Sequence, residues 1–410
     1  MTTAEQEHVD LNDLDMFVQG RQYPALAWLR RHDPVHWHPA ADGGFWVLTR
    51  YDDVVRAYRD HVGLSSAHGA VLGGSFRTDG DTAAGLMLVA SDVPRHRLLR
   101  QLLHPLFAPA PVERVRAAVD ERVDAALDRL VAAGGGDFAA DVAVQLPVGA
   151  LSALAGLDRA AATELIGMTR RMVGYRDPAL VDTGGDERTR LAWLQTEILE
   201  FFHDRLPARS RPPGDEQHLL DVLRSGELNG RSPSEAEILY NALNVAVGGN
   251  ETSAHTASAG VEALMRHPDQ DARLRADPGL LDRAVEEILR WTSTNAYVRR
   301  VATRDLELGA RTVRAGDSVT LWNAAANRDE TQFHAPDTFD VTRSPNRHLS
   351  FGSGIHRCIG VGAGTAELRT LFAKLIERRV RLVPAGPVAR LRSNFILGVN
   401  QLPVEVIGAP

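Results

Sequence analysis

The sequence has only one cysteine, Cys358, among its 410 residues. A single cysteine excludes an intramolecular disulfide, as is usual for proteins of the reducing cytoplasm. The sequence also lacks an uninterrupted apolar run of the roughly 20 residues that a membrane-spanning helix needs. Residues 1–15 are polar and acidic, unlike a secretion signal. We therefore expect a soluble, cytoplasmic protein that does not associate with a membrane.

Repeats, low-complexity linkers and excess positive charge are absent as well. The net charge is −7, so there is no global reason to expect nucleic-acid binding. Length alone allows two or three domains at roughly 150 residues each. However, residues 134–136 (GGG) and 209–214 (RSRPPG) are typical of loops between helices, and neither marks a boundary. We expect one domain over residues 1–410, and a monomer.

Helical periodicity dominates the chain between residues 90 and 292. A capping box of Ser232 and Glu235, with Pro233 at the first helical position, predicts a helix over residues 233–266. Further helices are predicted around the apolar stripe of residues 281–289 and after Cys358. Strand-like runs are few, and they lie at residues 45–49, 318–322 and 379–383 and at the C-terminus. The pattern predicts a mainly α-helical protein with small β-sheets.

The segment around the cysteine, residues 351–360, reads FGSGIHRCIG. A lone cysteine is usually a small buried apolar residue. Here three glycines allow a tight turn to lie against a flat ligand. A helix start and the positive charges of His356 and Arg357 favour a thiolate over a thiol. A thiolate in this position suits iron ligation, and thiolate-ligated haem favours O–O bond cleavage.

Residues 248–253, GGNETS, lie inside the long predicted helix. Two adjacent glycines in a helix cost about 1 kcal/mol each relative to alanine, so they require a reason. One reason is close helix packing, and the other is a groove in which dioxygen can sit. The acid Glu251 next to the hydroxyl of Thr252 is the combination that proton delivery to dioxygen requires.

Two charged pairs have helical spacing. Glu287 and Arg290 share a helix face at i, i+3, as an ordinary surface pair would. His96 and Arg100 lie one turn apart and could jointly hold an anion, although a solvated basic face has the same pattern.

These segments together resemble the cytochrome P450 family over nearly the whole chain. The cysteine segment matches the haem-binding loop F-G-x-G-x-H-x-C-x-G at every fixed position. Residues 248–253 resemble A/G-G-x-D/E-T-T with serine in the last place, and the charged pairs are similar to the E-x-x-R and H-x-x-x-R elements. The resemblance implies the cytochrome P450 fold, with haem b between the long central helix and the helix after the cysteine loop.

The resemblance also implies roles for individual residues. Thr252 is then the hydroxyl of the oxygen site and Glu251 its acidic neighbour. Glu287 and Arg290 form a buried structural pair. Thr338 stands where the family usually has a third member, an arginine, so the third member is left open, with Arg343 as one candidate. The implied cofactor-binding residues are the axial iron ligand Cys358, Phe351 over the thiolate, Gly249 on the oxygen groove, and the propionate partners His96, Arg100, Arg300, His356 and His348.

The implied reaction inserts one oxygen atom from dioxygen into an organic substrate, by hydroxylation or epoxidation, with two electrons and two protons. Without a fused flavin domain, the implied electron donors are a ferredoxin and its ferredoxin reductase. A basic patch on the cysteine side suits an acidic ferredoxin. The predicted members of this patch are Arg95, Arg97, Arg100 and Arg357.

The substrate is indicated only coarsely. By family position, the pocket walls are residues 67–87, 171–182, 245–249, 293–298 and 394–397. The polar side chains of Ser293, Thr294, Asn295 and Tyr297 favour a large, partly oxygenated secondary metabolite of antibiotic biosynthesis. Such a polyketide, macrolide or peptide intermediate could be free or carrier-bound. The alternatives are a steroid or fatty-acid hydroxylase, a peroxide-driven variant and a non-catalytic haem-thiolate sensor.

Overall fold

The computed structural model describes residues 9–40, 43–71, 83–206 and 217–407. These residues form fourteen α-helices: α1 Leu14–Val18, α2 Gln22–His32, α3 Tyr51–Arg59, α4 Arg95–Leu103, α5 Pro109–Ala132, α6 Gln145–Ala155, α7 Arg159–Val173, α8 Glu187–His203, α9 Leu219–Ser225, α10 Glu235–Arg266, α11 Pro268–Ala276, α12 Leu281–Thr292, α13 Asn323–Ala326 and α14 Val361–Glu377.

The twelve strands in the same residues are short: β1 Val35–His38, β2 Phe45–Leu48, β3 Leu64–Ser65, β4 Gly135–Asp137, β5 Val298–Ala302, β6 Leu306–Leu308, β7 Arg311–Val313, β8 Ser318–Leu321, β9 Arg381–Pro384, β10 Ala389–Arg390, β11 Val399–Gln401 and β12 Pro403–Ile407. The largest sheet has the order β1-β2-β8-β5-β3, in which the β2–β8 pairing is parallel. Three smaller sheets are β4-β12-β9, β10-β11 and β6-β7. The prediction of a mainly α-helical protein with small sheets is confirmed.

Helix α10 is the central element of the molecule. Its 32 residues extend about 48 Å at 1.5 Å per residue, and it packs against seven other helices, α6 to α9, α11, α12 and α14. The packing is tight at Gly260, where a Cβ atom would lie 2.7 Å from Ile288 and 2.8 Å from Phe372. A side chain there would therefore push α12 and α14 away from α10, and the elements around the site would move with them.

The start of α10 differs from the prediction. The capping box consists of Ser234 and Glu237, not Ser232 and Glu235: the Ser234 amide donates to the Glu237 carboxylate at 2.6 Å, and the Glu237 amide donates to the Ser234 hydroxyl at 3.3 Å. Both pairs have the required spacing. Glu237 also forms ion pairs with Arg231 and Arg95. These tertiary contacts select between two registers that the local sequence leaves equal.

The remaining segment predictions have mixed outcomes. The strands predicted at residues 45–49, 318–322, 379–383 and the C-terminus correspond to β2, β8, β9 and β12. Residues 134–136 were predicted as a loop, but Gly135 and Gly136 belong to β4 because β12 pairs with them. Residues 209–214 lie outside the described residues. Within the described part of the chain, no single helix has both the length and the apolarity to cross a membrane, although the sharply bent pair Ala139–Ala155 and Arg159–Val173 meets both criteria jointly.

Candidate active site

Cys358 lies in a tight loop directly before α14. Gly352 and Gly354 have φ angles of +66° and +69°, a backbone region that other residues rarely adopt. A Cβ atom on Gly354 would also lie 2.5 Å from the carbonyl oxygen of Tyr58. The loop is closed by a hydrogen bond from the Cys358 amide to the Phe351 carbonyl at 2.9 Å. The glycines thus let the loop pack against α3 and present the cysteine to a large cavity.

The charge state of Cys358 depends on opposing effects. Burial raises the pKa of the Cys358 thiol, whereas the Gly360 amide and the guanidinium groups of Arg100 and Arg357 act to lower it. The sequence predicted the two lowering effects, the helix start and nearby positive charge, but burial outweighs them. A metal ion bound to the sulfur would supply the additional positive charge that a stable thiolate requires.

Gly248 and Gly249 form an open groove on α10. A Cβ atom at either position would meet no heavy atom within 4 Å, so close helix packing does not explain the two glycines. Both line the cavity that contains Cys358. Thr252, one turn further on, lines the same cavity, and its hydroxyl donates to the Gly248 carbonyl at 3.1 Å. Of the two explanations that the sequence left open, the geometry supports the groove.

The carboxyl group of Glu251 is held by its neighbours on α10. Glu251 lines the cavity but is only 3% exposed. Its Oε1 accepts from the side-chain amide of Asn250 at 3.1 Å, and its Oε2 lies 3.0 Å from Nε2 of His255. Glu251 and Thr252 therefore line the same cavity, as predicted. Their hydrogen bonds go to other groups and not to each other.

A cluster of basic groups forms a second part of the cavity wall. Its four members all line the cavity: His96, Arg100, Arg300 and His356. The ring centroids of His96 and His356 are 4.1 Å apart. Burial and the charge of Arg300 lower the pKa of His356 to about 2, while burial and Arg100 lower that of His96 to about 4. Both histidines are therefore neutral at pH 7. The buried Nε2 atoms of both rings have no hydrogen-bond partner among the described residues.

His348 is not part of this cluster. Its Nε2 lies 3.1 Å from the Glu286 carboxylate, and its Nδ1 accepts from the Ser350 amide at 3.2 Å. It is also absent from the cavity wall. The prediction that His348 contacts a cofactor carboxylate is wrong, because both ring nitrogens are occupied on the far side of the loop.

Glu287 and Arg290 form a fully buried pair with two hydrogen bonds of 2.7 Å. Arg343 is the third member, and its Nε donates to Glu287 at 3.0 Å. The Asn346 amide group donates to the same carboxylate oxygen at 3.0 Å. The structure thus identifies Arg343, which the sequence offered only as a candidate, as the arginine that takes the place expected at Thr338. The surface-pair alternative is wrong, because both side chains are 0% exposed.

The predicted basic patch is smaller than expected. Arg97 and Arg357 are exposed, whereas Arg100 is half-buried and lines the cavity. Arg95 forms an ion pair with Glu237 and donates to the Gly85 carbonyl at 3.0 Å. Arg95 is therefore held at the start of α10 by Glu237, which also pairs with Arg231. Among the described residues, only Arg97 and Arg357 of the four are exposed.

The cavity receives side chains from all five predicted wall segments, except that residues 72–82 lie outside the described residues. Two of the four polar residues predicted above the site do not face it. The Ser293 hydroxyl donates to the Arg290 carbonyl, and Tyr297 packs between Trp322 and Phe395. The wall is mainly apolar, and its apolar members include Val71, Met87, Leu88, Val89, Met172, Val173, Leu191, Leu243, Val245, Val247, Val298, Phe395 and Ile396.

Sequence reasoning missed an acid on the opposite wall, Glu367 of α14. Burial raises its pKa to about 8, although the Ser253 hydroxyl acts to lower it. Its Oε2 has no hydrogen-bond partner among the described residues. The available signal was its position in the apolar stripe of α14, four residues after Ala363 and four before Leu371, where an acid is costly to bury.

Comparisons with known proteins agree with this geometry. A family model described as "Cytochrome P450" matches residues 194–403. The linalool 8-monooxygenase of Pseudomonas putida is 32% identical over 98% of this chain and 99% of its own. The chain belongs to the cytochrome P450 family. As a cytochrome P450 it is a monooxygenase with a haem-thiolate cofactor.

Solved structures show the same fold for this P450. A Mycobacterium marinum cytochrome P450, CYP268A2, in complex with pseudoionone matches with a TM-score of 0.87 and 30% identity, over 97% of this chain and 98% of its own. The P450 OxyD, involved in the biosynthesis of vancomycin-type antibiotics, matches with a TM-score of 0.86 and 31% identity, over 98% and 100% of the two chains.

The residues of the cavity fit a haem. A cysteine sulfur borders the cavity, and the basic cluster offers two unpartnered ring nitrogens and two guanidinium groups to anionic carboxylates. The open groove at Gly248 and Gly249 leaves space on the α10 side. Sulfur for iron and basic groups for carboxylates are the donors that a haem needs.

Proposed function

We propose that this protein is a haem b monooxygenase that inserts one oxygen atom into a medium-to-large secondary metabolite, by hydroxylation or epoxidation. The observation that carries the proposal is that Cys358, the Gly248–Gly249 groove and Thr252 border one cavity with a mainly apolar wall. The bound haem supplies oxygen activation, and the protein holds the substrate, excludes water and delivers protons.

The proposed haem contacts follow from the cavity wall. Cys358 would ligate the iron through its sulfur, Phe351 of the same loop would shield that sulfur, and Gly249 would leave space for dioxygen. His96, Arg100, Arg300 and His356 hold the two propionates. The guanidinium groups would provide the positive charge, and the ring nitrogens, which have no partner among the described residues, would provide hydrogen-bond donors.

Glu251 and Thr252 are the proposed catalytic residues. The Thr252 hydroxyl already points along the groove to the Gly248 carbonyl, where it can hold a water molecule or accept a proton. Glu251 is the nearest acid on the same helix and is suited to move protons between buried groups and this hydroxyl. An acid–alcohol pair has no purpose in a sensor, so its presence supports the enzymatic function.

Among substrate classes, we favour a polyketide, macrolide or peptide intermediate, free or carrier-bound. The similarity to OxyD supports antibiotic biosynthesis. The polar side chains of Gln195 and Asn244 line the cavity and can form hydrogen bonds with the oxygen atoms of such a molecule.

A second candidate is an apolar terpenoid, fatty acid or steroid. Two observations favour it. Most side chains of the cavity wall are apolar, and of the four polar residues predicted there only Thr294 and Asn295 line the cavity. Moreover, the Thr294 and Thr256 hydroxyls are 2.7 Å apart and satisfy each other. The similarity to linalool 8-monooxygenase points in the same direction.

Spectral titration of the purified haem protein distinguishes these classes. A macrolide, a carrier-bound peptide, a steroid, a fatty acid and a terpenoid alcohol would each be added, and the low-spin to high-spin change of the haem would be recorded. Compounds that bind would then be supplied with NADPH and a surrogate ferredoxin system, and products identified by mass spectrometry. A high-spin change and hydroxylated product with the terpenoid or lipid alone would overturn the secondary-metabolite assignment.

Replacement of Thr252 by alanine is expected to leave the haem spectrum unchanged but to divert about 90% or more of the reducing equivalents from product to hydrogen peroxide, since a positioned proton relay contributes roughly 10²-fold or more. The measurement is product and peroxide formed per NADPH. The control is Thr252→Ser, which keeps the hydroxyl and should stay coupled. Full coupling in the alanine variant would remove Thr252 from the proton path.

The proposed electron donor is an acidic ferredoxin, reduced by a ferredoxin reductase, that docks at Arg97 and Arg357. Reversal of both charges to glutamate is expected to slow reduction by roughly tenfold at low salt and to flatten its dependence on ionic strength. Stopped-flow reduction measures this rate. Reversal of Arg129 and Arg188, two exposed arginines outside the cavity wall, is the control. Equal rates for the two double variants would place the docking site elsewhere.

A further inference from the structure

The proposed proton path assigns no role to His255, although this histidine contacts Glu251 on α10. The two side chains lie one helical turn apart and are 4% and 1% exposed. Nε2 of His255 is 3.0 Å from Oε2 of Glu251. Within the described residues, His255 is the only basic side chain within ion-pairing distance of Glu251. It holds one carboxylate oxygen, while the side-chain amide of Asn250 donates to the other.

The imidazole ring of His255 is fixed from its other side by β11. Nδ1 lies 3.1 Å from both the amide nitrogen and the carbonyl oxygen of Val399. Gly398 packs against the ring edge, where a Cβ atom would lie 3.0 Å from Nε2 and from Cε1. These contacts leave the ring little freedom to rotate away from Glu251.

The two contacts with Val399 allow His255 to hold Glu251 in both of its protonation states. When Nδ1 accepts from the Val399 amide, Nε2 carries the hydrogen and donates it to an ionised Glu251. When Nδ1 carries the hydrogen and donates it to the Val399 carbonyl, Nε2 can accept from a protonated Glu251. A group that gives up a proton and is then recharged passes through both states. In each state the ring keeps one hydrogen bond to Glu251 and one to Val399, alternating between the Val399 amide and the Val399 carbonyl.

We propose that His255 is the positioning residue for Glu251: it holds the carboxyl group beside Thr252 and stabilises it in both states. The inference rests on the proton-delivery role proposed for Glu251. Val399 follows the segment of residues 394–396 that lines the cavity, so the ring is also supported by the strand that continues the substrate-contacting wall.

The test combines two variants of His255 with two backgrounds. His255→Ala removes the contact, whereas His255→Gln keeps a side-chain amide that can donate to Glu251. For each variant, the product formed per NADPH is measured with the compound that gave the largest high-spin change in the spectral titration. His255→Ala is expected to lower this yield by roughly tenfold, within the range of a misplaced acid–base group, and His255→Gln is expected to restore most of it.

The backgrounds identify the partner of His255. In Glu251→Gln, the further change His255→Ala should have no additional effect on yield, because the group it positions is already inactive. In Glu367→Gln, which removes the other buried acid of the cavity, the same change should keep its full effect. A loss of equal size in the Glu251→Gln background, or a wild-type yield in His255→Ala, would overturn the proposal.

A second readout does not depend on turnover. In the double-mutant cycle for thermal unfolding, His255→Ala should lower the midpoint more in the wild type than in Glu251→Gln, because only an ionisable Glu251 is left without its partner. Ser258→Ala is the control. Among the described residues, this buried serine donates only to the Ala254 carbonyl of its own helix, so its replacement should show no such coupling. If Glu251→Gln itself gives the wild-type yield, the proposed role of Glu251 in proton delivery is refuted. The unfolding cycle then still tests whether His255 holds the Glu251 side chain.

Discussion

Replacing Cys358 by alanine is expected to abolish turnover and the absorbance band of the reduced carbon-monoxide complex that is characteristic of thiolate ligation. The reason is that the cavity wall offers no other thiol, since the chain has one cysteine, and no group of at least three histidine, cysteine or acidic side chains that could hold a metal ion occurs in the described residues. The measurement is the reduced carbon-monoxide difference spectrum together with haem content.

Ile359→Ala is the matched control for this change, because it alters the adjacent side chain of the same loop and keeps the sulfur. It should retain the thiolate band even if some haem is lost. Persistence of the band in Cys358→Ala would refute the ligand assignment, and with it the proposed cofactor geometry.

Glu287→Ala is expected to lower the free energy of unfolding by about 3–5 kcal/mol, the cost of breaking a buried ion pair and leaving a charge uncompensated. Arg290 is 0% exposed, and it would lose its only carboxylate partner among the described residues. Arg343 would lose the same partner. The purified variant should therefore contain less haem and unfold at lower denaturant concentration, as measured by absorbance and circular dichroism.

Glu286→Ala provides a sensitive comparison for this experiment. Glu286 precedes Glu287 on α12, its side chain is 44% exposed, and it pairs only with His348. A partly exposed pair of this kind contributes about 0–1 kcal/mol. If the two alanine variants lose equal stability, the buried network does not carry the structural role assigned to it.

The main features of the site were predictable because they depend on local sequence. The cysteine loop needs glycines at positive φ and a cysteine before a helix, and a ten-residue segment contains both requirements. The groove on α10 is encoded by two adjacent glycines and the residues after them. Likewise, the apolar stripes of α12 and α14 appear at helical spacing, so their buried faces follow from periodicity.

Other features required contacts between distant segments. His348 has the residue type of a propionate partner, but Glu286 and Ser350 occupy its ring nitrogens. Arg95 belongs to a basic run, but Glu237, far along the chain, holds it in an ion pair at the start of α10. Ser293 and Tyr297 are polar in sequence, yet their side chains face α12 and an aromatic cluster. The sequence supplies the residue type in each case, whereas packing decides the direction of the side chain.

By itself, the sequence determined the helical class, the family, the position of the cysteine loop and the acid–alcohol pair on the long helix. Each of these is written within one stretch of chain, where spacing sets the face of a helix or the geometry of a turn. Only the tertiary structure decided the start of α10, the third member of the Glu287 network, the size of the exposed arginine patch and the partner of Glu251. These depend on which groups from separate segments meet, and on the cost of leaving a buried charge or hydrogen-bonding atom without a partner.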